Sequence, residues 1–208
     1  VFVSRDNGLK WSAPLTLGLF KAGFSSLLPA AAPLSAEGYG AVTVVGYGFT
    51  QVDVPLAEAK CMFGTTTVTP DAITSTTIVC VPPSLTVGAY DLQISLDGGG
   101  SYFPGIPSQQ FTYYTPPSAN TLSPETGPQV GGTLMTVTGS DFSAAYGTPM
   151  CQFVTPSDGD SYTVTATVVT ATSMQCRTPA VATAEAATVA ISLNSGDAWV
   201  VFSGTPFT

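Results

Sequence analysis

The chain has 208 residues and a formal net charge of −8, with five basic residues and no histidine. That balance excludes a phosphate-binding surface, and with it a nucleic-acid partner, and it removes Ser-His and Cys-His catalysis. At 44% hydrophobic and 9% charged residues the chain can bury a sizeable core and is not disordered by composition, and no run of 18 apolar residues is present to span a membrane.

The first stretch, Val1-Phe2-Val3-Ser4-Arg5, alternates apolar and polar residues, turns at Asp6-Asn7-Gly8, passes Trp11 and returns through Leu15, Leu17 and Leu19 to Phe20. Alternation broken by an Asx-Gly turn predicts a β-hairpin. Lys21 to Leu28 reads as a connector. A glycine-bounded strand over Val42–Val45 follows, then short strands at Cys61-Met62-Phe63 and at Thr76 to Cys80. A second hairpin runs from Leu92-Gln93-Ile94-Ser95-Leu96 through Asp97-Gly98-Gly99-Gly100 and Tyr102 to Phe111. Thr115-Pro116-Pro117-Ser118-Ala119-Asn120 reads as a short linker stiffened by its two prolines. The remainder restates the plan: Met135 to Phe142, Cys151-Gln152-Phe153, Ser173 to Cys176, and a third hairpin from Val189-Ala190-Ile191-Ser192-Leu193 through Asn194-Ser195-Gly196 and Trp199 to Phe207. Ala180 to Ala187 is alanine-rich but follows Pro179, and it reads as a loop.

The hairpin repeats at Val3, Ile94 and Ile191, spacings of 91 and 97 residues. That is about the length of one immunoglobulin-like sandwich. Many short strands with Gly and Pro between them argue the same class. The expected organisation is all-β: an amino-terminal hairpin and connector over 1–28, one sandwich over 29–115 and a second over 116–208. Cysteines fall as Cys61 with Cys80 and Cys151 with Cys176, one pair in each repeat, which favours two disulfides and an oxidising compartment. Zinc is the competing reading, but it calls for tighter cysteine spacing or histidine.

Pro124-Glu125-Thr126-Gly127-Pro128-Gln129-Val130-Gly131-Gly132-Thr133, followed by Val137-Thr138-Gly139-Ser140-Asp141-Phe142, closely resembles the opening of IPT/TIG domains. These are the immunoglobulin-like modules of plexins, some transcription factors and many surface proteins. Cys151-Gln152-Phe153, Cys176-Arg177-Thr178-Pro179 and the hairpin ending at Phe207 match the later landmarks in order. The first repeat is a weaker copy. It keeps Gly46, Phe49, Cys61, Phe63, Cys80, Pro82, Asp97-Gly98-Gly99 and Phe111-Thr112-Tyr113, but it lacks the Gly-Gly-Thr signature. The resemblance covers about 29–208, and residues 1–20 look like the closing hairpin of a further copy. It implies a seven-stranded or similar sandwich, agrees with pairing of the two cysteines of each domain, and implies an interaction and spacer module with no catalytic residues.

Rival sites are weak. Asp6, Asp97, Asp158, Asp160 and Asp197 sit in turns, and only Asp158-Gly159-Asp160 forms a tight pair, which suits a solvated turn better than calcium. No metal and no cofactor is expected. Trp11, Tyr102 and Trp199 would suit a sugar-stacking platform, with glycans as partners, but their repeated place favours packing on the hairpin. No Asn-x-Ser/Thr sequon occurs.

An isolated hairpin is marginal in water, and its apolar residues and unpaired edge demand a docking place. The expectation is therefore an extracellular, cell-surface structural protein. Its amino-terminal segment, through Val1, Phe2, Val3, Trp11, Leu15, Leu17, Leu19 and Phe20, would add to a sheet of the next copy and build a head-to-tail fibre. Two alternatives stand beside it: a fragment of a multi-IPT receptor or adhesin that contacts neighbouring surface proteins, and a carbohydrate-binding accessory module of a secreted enzyme.

Overall fold

The computed structural model describes residues 21–34, 40–50, 55–156 and 159–208. The first module comprises β1 (Gly23–Leu28), β2 (Ala31–Pro33), β3 (Val42–Tyr47), β4 (Lys60–Phe63), β5 (Thr66–Val68), β6 (Ala72–Ile73), β7 (Thr77–Cys80), β8 (Gly88–Ser95), β9 (Phe103–Pro104) and β10 (Gln110–Tyr114). One sheet has the order β1-β3-β7-β6, and the facing sheet has the order β2-β10-β8-β4-β5 with β9 on β8. Between β1 and β2 the chain changes sheets at a cis Leu28–Pro29 bond, and β2 then runs parallel to β10.

The first sandwich begins at Gly23, inside the stretch expected to be a connector. Phe24 and Leu27 are its inward residues, 1% and 4% exposed. They stand three apart because a bulge between Phe24 and Ser26 breaks the period of two. The second module repeats the device. The stretch read as a linker is strand from Ser118 onward, with a bulge between Ala119 and Thr121 and with Ala119 and Leu122 turned inward. Only Thr115–Pro117 is left between the strands of the two modules.

The second module contains β11 (Ser118–Ser123), β12 (Leu134–Ser140), β13 (Met150–Val154), β14 (Ser161–Thr170), β15 (Ser173–Arg177), β16 (Thr188–Ser192) and β17 (Val200–Val201), in the order β11-β12-β15-β14-β13-β16-β17. Its two layers are joined by β14. The first half of β14 pairs with β13, and the second half pairs with β15. Tyr162, Val164, Ala166 and Val168 keep strict alternation along it and pack on the core. The first module splits the same path into β5 and β6, with Thr69-Pro70 between them. Proline has no N–H for a ladder, so the strand is interrupted there and runs through where the second module has none. Ala180 to Ala186 carries no helix or strand.

Each core is crossed by a disulfide. Cys61 of β4 bonds to Cys80 of β7, and Cys151 of β13 bonds to Cys176 of β15. All four residues are buried, and no described cysteine is free. Around them lie Phe63, Ile78, Leu92 and Phe111 in one module and Phe153, Met135, Met174 and Ile191 in the other.

The Gly-x-x-Phe spacing of Gly46 and Phe49, and of Gly139 and Phe142, has a steric cause. A Cβ on Gly139 would lie 1.8 Å from the Ser118 carbonyl oxygen and 2.7 Å from the Phe142 ring. On Gly46 it would lie 2.2 Å from the Gly23 carbonyl and 2.6 Å from the Phe49 ring. The glycine lets the first strand of each module press onto its neighbour, with the phenylalanine beneath. Between them Gly48 and Asp141 take the left-handed backbone, φ 76° and 60°, that turns the ring inward. Gly139→Ala is expected to destabilise the second module by about 3 kcal/mol, whereas Gly40→Ala, with open space around its Cβ position, leaves the thermal midpoint unchanged. Thermal denaturation followed by circular dichroism measures both.

Candidate functional site

The end of the second hairpin and the end of the third are built on the same polar cage. Ser95 Oγ donates to Asp97 Oδ1 (2.7 Å) and accepts the N–H groups of Asp97 (3.3 Å) and Gly99 (2.9 Å). Ser192 Oγ donates to Asn194 Oδ1 (3.0 Å) and accepts the N–H groups of Asn194 (3.3 Å) and Gly196 (3.0 Å). The acid or amide oxygen then accepts one further N–H, from Ser101 (2.9 Å) or from Ala198 (2.9 Å). Both serines are essentially inaccessible, so the hydroxyls satisfy backbone donors that water cannot reach. Tyr102 and Trp199 fold back over Gly99 and Gly196, whose left-handed φ values are 95° and 90°. These aromatics lie against the turns, an arrangement that differs from an open stacking platform.

Two differences set the cages apart: the Ser101 hydroxyl donates to the outer Asp97 oxygen at 2.6 Å, where Ala198 has no hydroxyl, and the side chain at the turn changes from acid to amide. Asn194 has an amide nitrogen where Asp97 has a second carboxylate oxygen. Its Oδ1 faces the Ser192 hydroxyl and the Ala198 N–H, which turns Nδ2 outward to donate to the Ala31 carbonyl of the first module at 3.1 Å. Around that bond Ala31, Tyr114 and Leu193 are 3%, 2% and 1% exposed and form a small core of their own. The rings of Tyr114 and Tyr146 stack at 4.1 Å with 7° between their planes. The junction between modules is thus a largely buried contact made by β2 and β10 on one side and by the third hairpin turn and the Tyr146 loop on the other.

The four cysteines predicted as site residues lie in the cores, far from any surface function. The predicted docking residues Val1, Phe2, Val3, Trp11, Leu15, Leu17, Leu19 and Phe20, like Asp6 and Asp158, lie outside the described residues. Among the described residues no group of three or more His, Cys, Asp or Glu side chains is arranged to hold a metal, and no helix is long and apolar enough to cross a membrane. Asp160 of the acidic loop uses its main-chain oxygen to accept the Thr155 N–H (3.0 Å). The junction escaped the sequence reading. Its signal is the replacement of aspartate by asparagine at one repeat position. A cavity of about 290 Å³ also opens at the far end of the second module, bounded by Gly127, Phe153, Pro179, Ala187 and Phe207.

By class, the molecule is a tandem pair of immunoglobulin-like sandwiches joined through a short stiff linker. The IPT/TIG domain matches both of them, over residues 24–113 and 117–208, and the chain belongs to the IPT/TIG domain family. It is a non-catalytic module. No curated protein matches it. Among solved structures it is similar to the plexin A4 full extracellular region, domains 1 to 10, at 20% identity and a TM-score of 0.56, over 90% of this chain and 16% of that one. A second plexin A4 extracellular structure, domains 1 to 8, is 17% identical with a TM-score of 0.45, over 91% of this chain and 18% of that one. The ICAM-5 D1-D4 ectodomain fragment is 16% identical with a TM-score of 0.31, over 98% and 53%. The chain therefore spans less than a fifth of either plexin chain, and the likeness to the first is one of fold.

The Asp97 carboxyl is held down at about 2 from its ordinary 3.8, first by the Ser101 hydroxyl, then by the Ser101 N–H and the Ser95 hydroxyl. A depressed carboxylate lends stability above its unfolded pKa and loses it as pH falls through the folded one. The thermal midpoint of the first module is expected to drop between about pH 4 and pH 2. The drop is expected to be smaller in Asp97→Asn, which keeps the cage and does not titrate; calorimetric scans across that range check both.

Proposed function

We propose that the chain is a pair of consecutive domains from a multi-domain extracellular receptor or adhesin, serving as a stiff, non-catalytic spacer that sets the direction of whatever it connects. The observation that carries this is the junction. Domains linked by a few residues move relative to one another by default unless something seals the interface. Here the linker is Thr115-Pro116-Pro117, with Pro117 buried, and the contact holds a buried side-chain-to-backbone hydrogen bond and a stacked tyrosine pair. A stacked pair contributes about 0.5–1.5 kcal/mol beyond its area, and leaving a buried donor or acceptor unpaired costs about 1–3 kcal/mol. Those magnitudes are enough to keep a short proline-stiffened linker in one arrangement. One disulfide in each core supports a secreted or extracellular setting, since such bonds persist in oxidising compartments. Partners are then neighbouring domains and surface proteins.

Fibre assembly through residues 1–28 is the competing reading. Gly23–Leu28 belongs to the chain's own first sheet, which leaves residues 1–22 as the whole of any exchanged segment. Light scattering separates the two readings: a chain that stays monomeric at high concentration supports the spacer, and growing particles that vanish on deleting residues 1–20 support the fibre.

Asn194→Asp tests the spacer directly. The cage accepts an aspartate, as Asp97 shows, so the turn survives while a carboxylate oxygen faces the Ala31 carbonyl. Small-angle X-ray scattering is expected to give a wider distribution of interdomain distances for Asn194→Asp and for Tyr146→Ala, with each sandwich still folded. An unchanged distribution in both variants overturns the proposal.

A further inference from the structure

The two sandwiches also differ at the closing strand, and one of them shows what the other is shaped to receive. Corresponding positions are fixed by hydrogen bonds. Thr112 N–H donates to the Ala30 carbonyl (3.0 Å), and Thr208 N–H donates to the Glu125 carbonyl (2.9 Å). Phe111 pairs with Tyr90, and Phe207 pairs with Ala187. Pro83 follows Cys80 by three residues, and Pro179 follows Cys176 by three.

In the first module the strand continues two residues past Thr112. It stays paired in parallel with β2, and the Leu34 N–H donates to the Tyr114 carbonyl at 2.8 Å. Tyr113 is 3% exposed. Its ring meets the edges of Phe111 at 5.0 Å and Tyr90 at 5.8 Å, and its hydroxyl donates to the Pro83 carbonyl. The 290 Å³ cavity of the second module is walled by the counterparts of those three neighbours: Phe207, Ala187 and Pro179. Alanine in place of Tyr90 widens the space rather than closing it. Its walls repeat the surroundings of the Tyr113 ring, so the space suits one large side chain.

We propose that this cavity is the slot for an aromatic side chain one residue beyond Thr208, carried by polypeptide that prolongs the strand of Phe207 in parallel with residues 126–128, as Tyr113 prolongs the strand of Phe111. A tyrosine fits best, because a phenol at that depth points its hydroxyl at the Pro179 carbonyl as Tyr113 does at Pro83. The second sandwich is therefore completed by chain that follows it, and its closing strand leads into the next element under the same constraint that Tyr113 and Tyr114 impose ahead of Thr115. This inference is independent of the spacer reading, since its test reports the stability of the second module and not the arrangement of the two.

Three forms of the full chain decide it: unextended, with Tyr-Tyr appended after Thr208, and with Ala-Ala appended there. The Tyr-Tyr form is expected to raise the thermal midpoint of the second module by about 5 °C or more and to slow hydrogen exchange at the Gln129 amide, which corresponds to Leu34. Ala-Ala is expected to reproduce neither in full. Ala184→Trp, a substitution at an exposed position on the rim, is expected to shrink the gain from Tyr-Tyr. Equal midpoints for the Tyr-Tyr and Ala-Ala forms overturn the proposal. So does a Tyr-Tyr form whose gain depends on dimerisation, because the slot would then be filled by a second copy.

Discussion

A serine hydroxyl sealed beneath the second and the third hairpin turn is the contact on which the arrangement of the two modules rests. Ser192 gathers two backbone N–H groups and donates to the side chain two residues on, so the turn has one geometry. That geometry fixes which way Asn194 faces, and its direction brings the amide to the Ala31 carbonyl. Leu193 and Tyr146 then close on Tyr114. Ser95 builds the identical turn in the first module, but Asp97 offers only acceptors outward. The same turn thus carries different surface chemistry, set by amide against acid at the capping position and by Ala198 in place of Ser101.

Much of the architecture was readable in the amino-acid order because the strands obey a strict period. The alternation of Ile94 and Leu92, of Val137 and Met135, and of β14 from Ser161 to Val168 puts every second side chain inward. The cysteine arithmetic worked because each pair falls inside one repeat. What escaped was aperiodic. Phe24 and Leu27, and Ala119 and Leu122, sit three apart across a bulge and so look like loop. The junction was invisible for another reason: nothing in Asn194 or Tyr146 alone says which distant carbonyl or ring it meets, and only comparison with Asp97 marks the position. Proline misled and informed at once. Pro116 and Pro117 suggested a longer linker than exists, while Pro70 does interrupt a strand that its counterpart runs unbroken.

The two modules realise one plan with different economy. The first is divided into two sheets by the Thr69-Pro70 break, and the second keeps its layers joined through a ten-residue strand. Both place the glycine of the Gly-x-x-Phe element where neighbouring backbones nearly touch, which is why that element is shared even though the Gly-Gly-Thr signature is confined to the second module.

The placement of the disulfides has a mechanical consequence. Each bond closes a loop within its own module, with the cysteines 19 and 25 residues apart, and none crosses the junction. A tether pulled from both ends keeps those loops shut, which withholds roughly 65 and 85 Å of contour length from extension. The seam at Ala31 and Asn194 carries no such crosslink, so parting it lengthens the molecule while both disulfide loops stay closed.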